Sequence, residues 1–209
     1  MTEINKNNIV HSYKAYSEQI RSRSKLHYLV GLLVRWKQNF KYKRAVRIAR
    51  KNGATIGEGV IMPLKLARKA NSNLIIGDHV SIQTDKIDLR SPVHIGNYVI
   101  IGSETEIITT SHNINTPTFD VKHYGITIED YVWLPTKILV LPSCRKIEFG
   151  AVVGSGSVVV KNVPCMSVVS GNPSTVIKKR EIVHSSLVVE KLLGGDFSIY
   201  KKCRKYDFA

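Results

Sequence analysis

The chain has 209 residues, enough for one domain with small additions, and 43% of them are hydrophobic, which supports a buried core. Its formal net charge is +15, but Lys and Arg balance Asp and Glu between Asn52 and Ile177, so the excess lies in the two ends. The three cysteines, Cys144, Cys165 and Cys203, are too few and too scattered for a disulfide framework or a zinc knuckle, and they fit a reduced, cytoplasmic setting.

Residues 1 to about 12 read as polar and loose, with no signal peptide in Met1-Thr2-Glu3-Ile4-Asn5. From Ser12 to Lys51 the spacing predicts a helix or two. Tyr16, Ile20, Leu26, Leu29, Val30, Leu33, Val34 and Trp36 are interleaved with many Arg and Lys residues. Such a segment caps the open end of a stacked repeat, or rests as a basic amphipathic surface on an anionic membrane. The two readings are compatible on different faces. No binding motif accompanies the charge, so nucleic acid is not expected. The longest apolar run, Leu29 to Val34, is far too short to span a bilayer.

Asn52-Gly53 ends the helical part. Ile56-Gly57-Glu58-Gly59-Val60 begins a six-residue repeat, Met62 to Asn73 interrupts it as an irregular basic loop or degenerate side, and Ile76-Gly77-Asp78-His79-Val80 resumes it. From Ile95 to Pro164 the repeat is strong: Ile95, Ile101 and Ile107, then Ile128, Leu134 and Val140, then Ile147, Val153 and Val159. A helix needs a period near 3.6 and a half-buried strand a period of 2. A period of six fits a chain that turns a corner every six residues and points one aliphatic inward per side. Three sides make a coil of roughly 18 residues, and coils stack. Two irregularities stand out. The step from Val140 to Ile147 is seven, which places a bulge near Arg145 or Lys146. The pattern is lost between Ser111 and Ile126, as for a loop that carries chemistry. After Pro164, Gly171-Asn172-Pro173 marks a turn. Glu181 to Leu193 reads as a short helix stopped by Gly194-Gly195, and a basic, frayed tail with Lys201, Lys202, Arg204 and Lys205 follows.

Several of these stretches together resemble the hexapeptide-repeat acyltransferases. They are Ser111-His112-Asn113 before the excursion, Ile126 to Leu134 with Trp133, Gly154-Ser155-Gly156-Ser157, and Gly171-Asn172-Pro173 with Val176-Ile177. The nearest branch is the colanic acid, maltose and galactoside O-acetyltransferases, over roughly Ile76 to Arg180. The resemblance implies a mainly β fold: a left-handed parallel β-helix with an N-terminal helical segment and a short C-terminal helix. It divides the chain into a basic extension (1–51), an acetyltransferase body (52–180) with a loop excursion at 112–125, and a C-terminal helix and tail (181–209). It also implies a homotrimer, with acetyl-CoA lying in the clefts between subunits as acyl donor and no metal.

The resemblance further implies that His112 is the general base. An imidazole accepts a sugar hydroxyl proton near neutral pH as the oxygen attacks a thioester. His123, in the same excursion, is the rival base. His79 and His94 sit in the repeat body, and His11, His27 and His184 in the appendages. Trp133, Gln83 and Asn113 match acceptor-side positions. Thr136, Ser155, Val160, Lys161 and Lys178 match acetyl-CoA contacts, with Lys179 and Arg180 available to share the phosphate work. The resemblance implies that a backbone amide near Thr136 makes the oxyanion contact; Pro135, where relatives usually carry glycine, has no amide donor to offer.

The expected activity is O-acetylation of a sugar or glycan precursor in polysaccharide biosynthesis, in the cytoplasm or peripherally at the inner face of the membrane. Alternatives are N-acetylation of an amino-sugar nucleotide, antibiotic acetylation, a non-catalytic β-helix binding protein, and a carbonic anhydrase-like zinc enzyme built on His79, His94 and His112.

Overall fold

The structure is a computed structural model that describes residues 9–10, 13–184 and 188–204. Most of the opening stretch, including His11 and Ser12, lies outside the described residues, as do Lys205 and residues 185–187 within the expected helix. In chain order the elements are β1 (Ile9–Val10), α1 (Tyr13–Arg21), α2 (Lys25–Lys51), β2 (Thr55–Ile56), α3 (Leu64–Lys69), β3 (Leu74–Ile76), β4 (Ser81–Ile82), β5 (Val93–Ile95), β6 (Ile100–Ile101), β7 (Glu106–Ile107), β8 (Thr110–His112), β9 (Val121–His123), β10 (Ile126–Ile128), β11 (Trp133–Leu134), β12 (Leu139–Val140), β13 (Lys146–Ile147), β14 (Val152–Val153), β15 (Val158–Val159), β16 (Ser167–Gly171), β17 (Ser174–Lys179), β18 (Val183–His184), a 3-10 turn (Val189–Leu193) and α4 (Phe197–Cys203).

The short strands stack into three parallel ladders that the chain visits in rotation. The first face is β2, β3, β5, β10 and β13; the second is β4, β6, β11, β14 and β16, with β17 added antiparallel; the third is β7, β12 and β15. The six-residue period is this rotation. Ile56, Ile76, Ile95, Ile128 and Ile147 stand in register on the first face, and Ile107, Val140 and Val159 on the third. All are buried in one continuous core, as expected for the inward residue of each side. The seven-residue step is absorbed at Arg145 and Lys146, whose amides both donate to Asn162 Oδ1 on the next coil, at 2.8 and 3.0 Å.

Corners need a left-handed residue, and side chains support it. Between the first and second faces, His79, Tyr98 and Tyr131 have φ of 56°, 56° and 60°. Each follows a polar residue that caps the coil below. Asp78 Oδ1 accepts from Glu58 N at 2.7 Å, Asn97 Oδ1 from Asp78 N at 2.8 Å, and Asp130 Oδ1 from Asn97 N at 2.7 Å. The three rings then stack, with centroids 5.0 Å apart at each step. These bonds and stacks offset the cost of φ > 0 in residues bearing a Cβ.

At the start of the coil, Ala45 and Ala49 of α2 and Leu66 and Ala67 of α3 join the core. Small side chains let the helix lie directly on the first turn. The stretch expected to be an irregular loop, Met62 to Asn73, contains α3, a short helix entered from Pro63. The C-terminal expectation also needs correction. Among the described residues of 181–193 there is no α-helix. Instead β18 pairs with β1, the segment Val189–Leu193 is a 3-10 turn ended by Gly194 at φ 68°, and the α-helix is α4, in the stretch read as a frayed tail. Its Tyr200 and Cys203 are buried against Tyr16, Ile20 and Val188. Asp196, at the start of α4, accepts from Arg35 Nε at 2.9 Å and from the Tyr16 hydroxyl. A buried carboxylate held this way joins the two ends of the chain.

Candidate active site

The lost repeat between Ser111 and Ile126 is an antiparallel hairpin of β8 and β9, with His112 opposite Val121 and Thr110 opposite His123. It leaves the coil at the corner between the third and first faces. Asp88, at the same corner one coil below, anchors it: Oδ2 accepts from Thr109 N at 3.2 Å and from Thr110 Oγ1 at 3.0 Å. Arg90 Nε donates to Asp88 Oδ1 at 2.9 Å. Burial opposes ionisation of Asp88, but the bonds from Arg90, Thr110 and Thr109 outweigh it and hold the carboxyl well below the usual carboxylate range. At the hairpin tip, Asn113 N donates to Asp120 O at 2.8 Å. Asn113 Oδ1 accepts from Asn115 N at 3.3 Å, an Asx turn that engages this side-chain oxygen.

His112 is exposed, and its Nδ1 lies 2.6 Å from the carbonyl oxygen of Phe119. A carbonyl can only accept, so Nδ1 carries the proton and the Nε2 lone pair is left to act as base. Phe119 has φ 48°, the tip conformation in which its carbonyl meets the ring. His123 is tied instead to the hairpin root, with Nδ1 3.1 Å from Ser91 Oγ.

The other expected site residues occupy different edges. Trp133, 47% exposed on β11, lies on the second face in a groove of about 660 Å³ with Val152, Val168 and Lys178. Thr136 follows at the corner between the second and third faces. Its hydroxyl donates to Ser103 O at 2.8 Å and its carbonyl accepts from Gly156 N at 3.2 Å. Among the described residues, the bonds of this turn do not draw on the Thr136 main-chain N–H. Gly102 is required here, because a Cβ on it would collide with the Pro135 carbonyl oxygen. Gln83, half-buried, follows β4 on the coil below Gly102, and Ser155 stands exposed above Thr136 on the same edge. Val160 and Lys161 line a hollow of about 320 Å³ at the corner between the third and first faces, the edge from which the hairpin also rises.

Of the basic trio after Ile177, Lys178 is exposed. Lys179 Nζ donates to Ser167 Oγ at 3.2 Å. Arg180 is committed to main chain: its Nη1 donates to Tyr131 O at 2.9 Å and Gly150 O at 3.0 Å, so it buttresses β17 rather than offering a free cation. Desolvation lowers its pKa. Asp88, Phe119 and Ser103 are site-shaping residues that the sequence reading missed, and Arg180, read there as sharing the phosphate work, has this main-chain role instead. Only Asp88-Leu89-Arg90, an acid and a base two apart just before a new hexad, left a local signal.

One arrangement decides how these groups can meet. In a three-sided coil each corner lies across from one face. The His112 hairpin leaves the corner opposite the second face, on which Trp133 and Lys178 stand. One copy therefore does not bring His112 and Trp133 together. His79 and His94 do not converge with His112 either. His79 Nδ1 is engaged by Glu190 Oε1 at 2.6 Å at another corner, and His94 projects from β5 on the first face.

No protein-family model matches the chain. Among curated proteins it is 29% identical over 146 residues to a protein of Escherichia coli (strain K12) named provisionally as the colanic acid biosynthesis acetyltransferase WcaF, covering 69% of this chain and 80% of that one. It is 29% identical over 144 residues to a galactoside O-acetyltransferase of Lactococcus lactis, covering 66% of this chain and 56% of the relative. Among solved structures, a maltose O-acetyltransferase from Clostridium difficile 630 matches with TM-score 0.53 at 20% identity, over 81% of this chain and 84% of that one. A galactoside acetyltransferase in complex with coenzyme A matches with TM-score 0.51 at 19% identity, over 86% and 85%. At these identities the structural likeness is one of fold.

Proposed function

We propose that this chain, a homologue of the hexapeptide-repeat acetyltransferases, transfers the acetyl group of acetyl-CoA to a hydroxyl of a sugar or glycan precursor, with His112 as general base. The observation that carries this reading is the contact between His112 Nδ1 and the Phe119 carbonyl, which leaves Nε2 as the proton acceptor. As the acceptor oxygen attacks the thioester carbonyl carbon, its proton passes to Nε2. The C–S bond then breaks, and the departing thiolate takes the proton back from the imidazolium. No acyl-enzyme is formed and the route needs no metal. The Thr136 amide stabilises the developing oxyanion, and holding both substrates in one cleft supplies much of the rate. Acetyl-CoA runs past Thr136 and Ser155, with Val160, Lys161 and Lys178 nearby. Trp133, Gln83 and Asn113 face the acceptor.

We read the coil as the left-handed β-helix of this family and the active enzyme as a homotrimer. The position of His112 across the coil from Trp133 supports a site shared between copies: one copy's hairpin faces its neighbour's second face. The cysteines, free in this structure, support a cytoplasmic location, where acetyl-CoA is made. The test is acetyl transfer from acetyl-CoA across a panel of sugars. His112→Ala is expected to lower turnover roughly 10²- to 10⁴-fold; undiminished turnover would overturn the assignment.

A further inference from the structure

We infer that the outer face of α2 rests on an anionic bilayer surface. The helix has two apolar stripes. The inner one packs on the coil through Ala45 and Ala49, on the cluster around Tyr200 of α4 through Leu32, and on Leu193 through buried Tyr42. The outer one is Leu26, Leu29, Leu33, Trp36 and Phe40, exposed by 71%, 55%, 62%, 54% and 70%. At the helical period these five fall within an arc of roughly 80°, opposite the buried side, and the stripe runs about 21 Å along the axis. Five large apolar groups lined up in this way form a designed patch rather than scattered exposure.

Charge selects the occupant. The 27 residues of α2 contain nine Lys or Arg and no Asp or Glu. Arg44 continues the edge of the outer stripe beyond Phe40, and Lys25, Lys37, Lys41 and Lys43 flank it. Of the elements packed beside it, α3 and α4 carry no carboxylate and α1 carries one, Glu18. Asp196 is already engaged by Arg35 and Tyr16. A second copy laid against this face would set Lys25, Lys37, Lys41, Lys43 and Arg44 against the same five cations. A nucleic acid would take the charge and leave the leucines in water. An anionic bilayer takes both: aliphatic and indole groups at the acyl boundary, Lys and Arg among the headgroups. Among the described residues no helix is long and apolar enough to cross a membrane, so α2 lies on the surface.

The test is co-sedimentation of the full chain with phosphatidylcholine vesicles, with and without phosphatidylglycerol. Binding is expected only with the anionic lipid and should weaken as salt is raised. The double variant Leu29→Glu/Leu33→Glu should lose at least roughly tenfold in partitioning, and Lys37→Gln or Arg44→Gln roughly fivefold each. Because these side chains are exposed, far-UV circular dichroism and solution mass should match the wild type. Equal binding to neutral vesicles, or leucine variants that bind like wild type, would overturn the inference. So would a leucine variant of lower oligomeric mass, which assigns the face to a second copy. Duplex DNA binding retained in the leucine variants, with no vesicle binding by the wild type, would assign the charge to nucleic acid and overturn it equally.

Discussion

Removing the Asp88 carboxylate should cost turnover although Asp88 itself touches no substrate, because it anchors the hairpin that carries His112. Asp88→Ala strips the acceptor from two buried donors at the hairpin root, the Thr109 amide and the Thr110 hydroxyl. Leaving a buried donor unsatisfied costs about 1–3 kcal/mol. The Thr110 hydroxyl can rotate to another acceptor and the Thr109 amide cannot, so the expected loss is about 3 kcal/mol. The Arg90 pair adds little, since its guanidinium side is 61% exposed. Asp88→Asn keeps one acceptor for the threonines and loses the exposed Arg90 pair with the bond from the exposed Arg90 amide, a cost of about 1 kcal/mol. The His112 ring rides on this hairpin, and a displacement near 1 Å is enough to lower the rate on the order of 10²-fold. Steady-state assays should therefore show kcat down about 10- to 100-fold in Asp88→Ala and within about threefold in Asp88→Asn, with KM for acetyl-CoA little changed in both. The pH dependence follows from the depressed carboxyl. The Asp88 contribution is present above the unfolded pKa near 3.9 and is lost as pH falls through the lower folded value. The gap in melting temperature between wild type and Asp88→Ala should be flat from pH 8 to about 5 and close only below about 4. Unchanged kcat in the alanine variant, or equal losses in the two variants, would refute the anchoring argument.

Other outcomes are equally specific. Gly102→Ala drives a Cβ into the Pro135 carbonyl; destabilisation of about 3 kcal/mol, a fall of roughly 6–12 °C in Tm by calorimetry, is expected, and a wild-type Tm would show that the corner gives way freely. The Glu190 hydrogen bond raises the pKa of His79 above its ordinary value against the opposing effect of burial. That contribution is full below about pH 6.5 and declines as pH rises through the higher folded value, so the stability advantage over His79→Gln should shrink from neutral pH upward; a constant advantage would contradict the pairing. Burial pushes the Cys144 thiol up to about 11, so alkylation at pH 8 followed by peptide mapping should leave Cys144 unmodified until the chain unfolds, and rapid native labelling would contradict its burial.

The coil was legible because it is local: an aliphatic every six residues states the geometry directly. The excursion was legible as the place where that statement stops. What could not be read lies in contacts between distant residues. β8 and β9 are too short and exposed to show a period-2 pattern, and their root depends on Asp88, some twenty residues earlier. The pairing of β1 with β18, which replaces the expected helix near Val183, joins opposite ends of the chain. α4 was hidden because its buried Tyr200 and Cys203 sit among lysines, and the Tyr16 and Ile20 side chains they cover lie far away in sequence. Arg180 looked like a phosphate ligand because a row of cations does not reveal which of them faces main-chain carbonyls.

The account stands or falls on a site completed by two copies, the His112 hairpin of one against the second face of the next. His112→Ala and Trp133→Ala chains, each poorly active alone, should be unfolded together, refolded as mixed oligomers and assayed for acetyl transfer. Random mixing in a cyclic trimer restores an intact pairing at roughly a quarter of the sites, so activity near one quarter of wild type is expected. Activity no higher than that of the parent variants, in mixtures shown to contain both chains, would contradict a shared site.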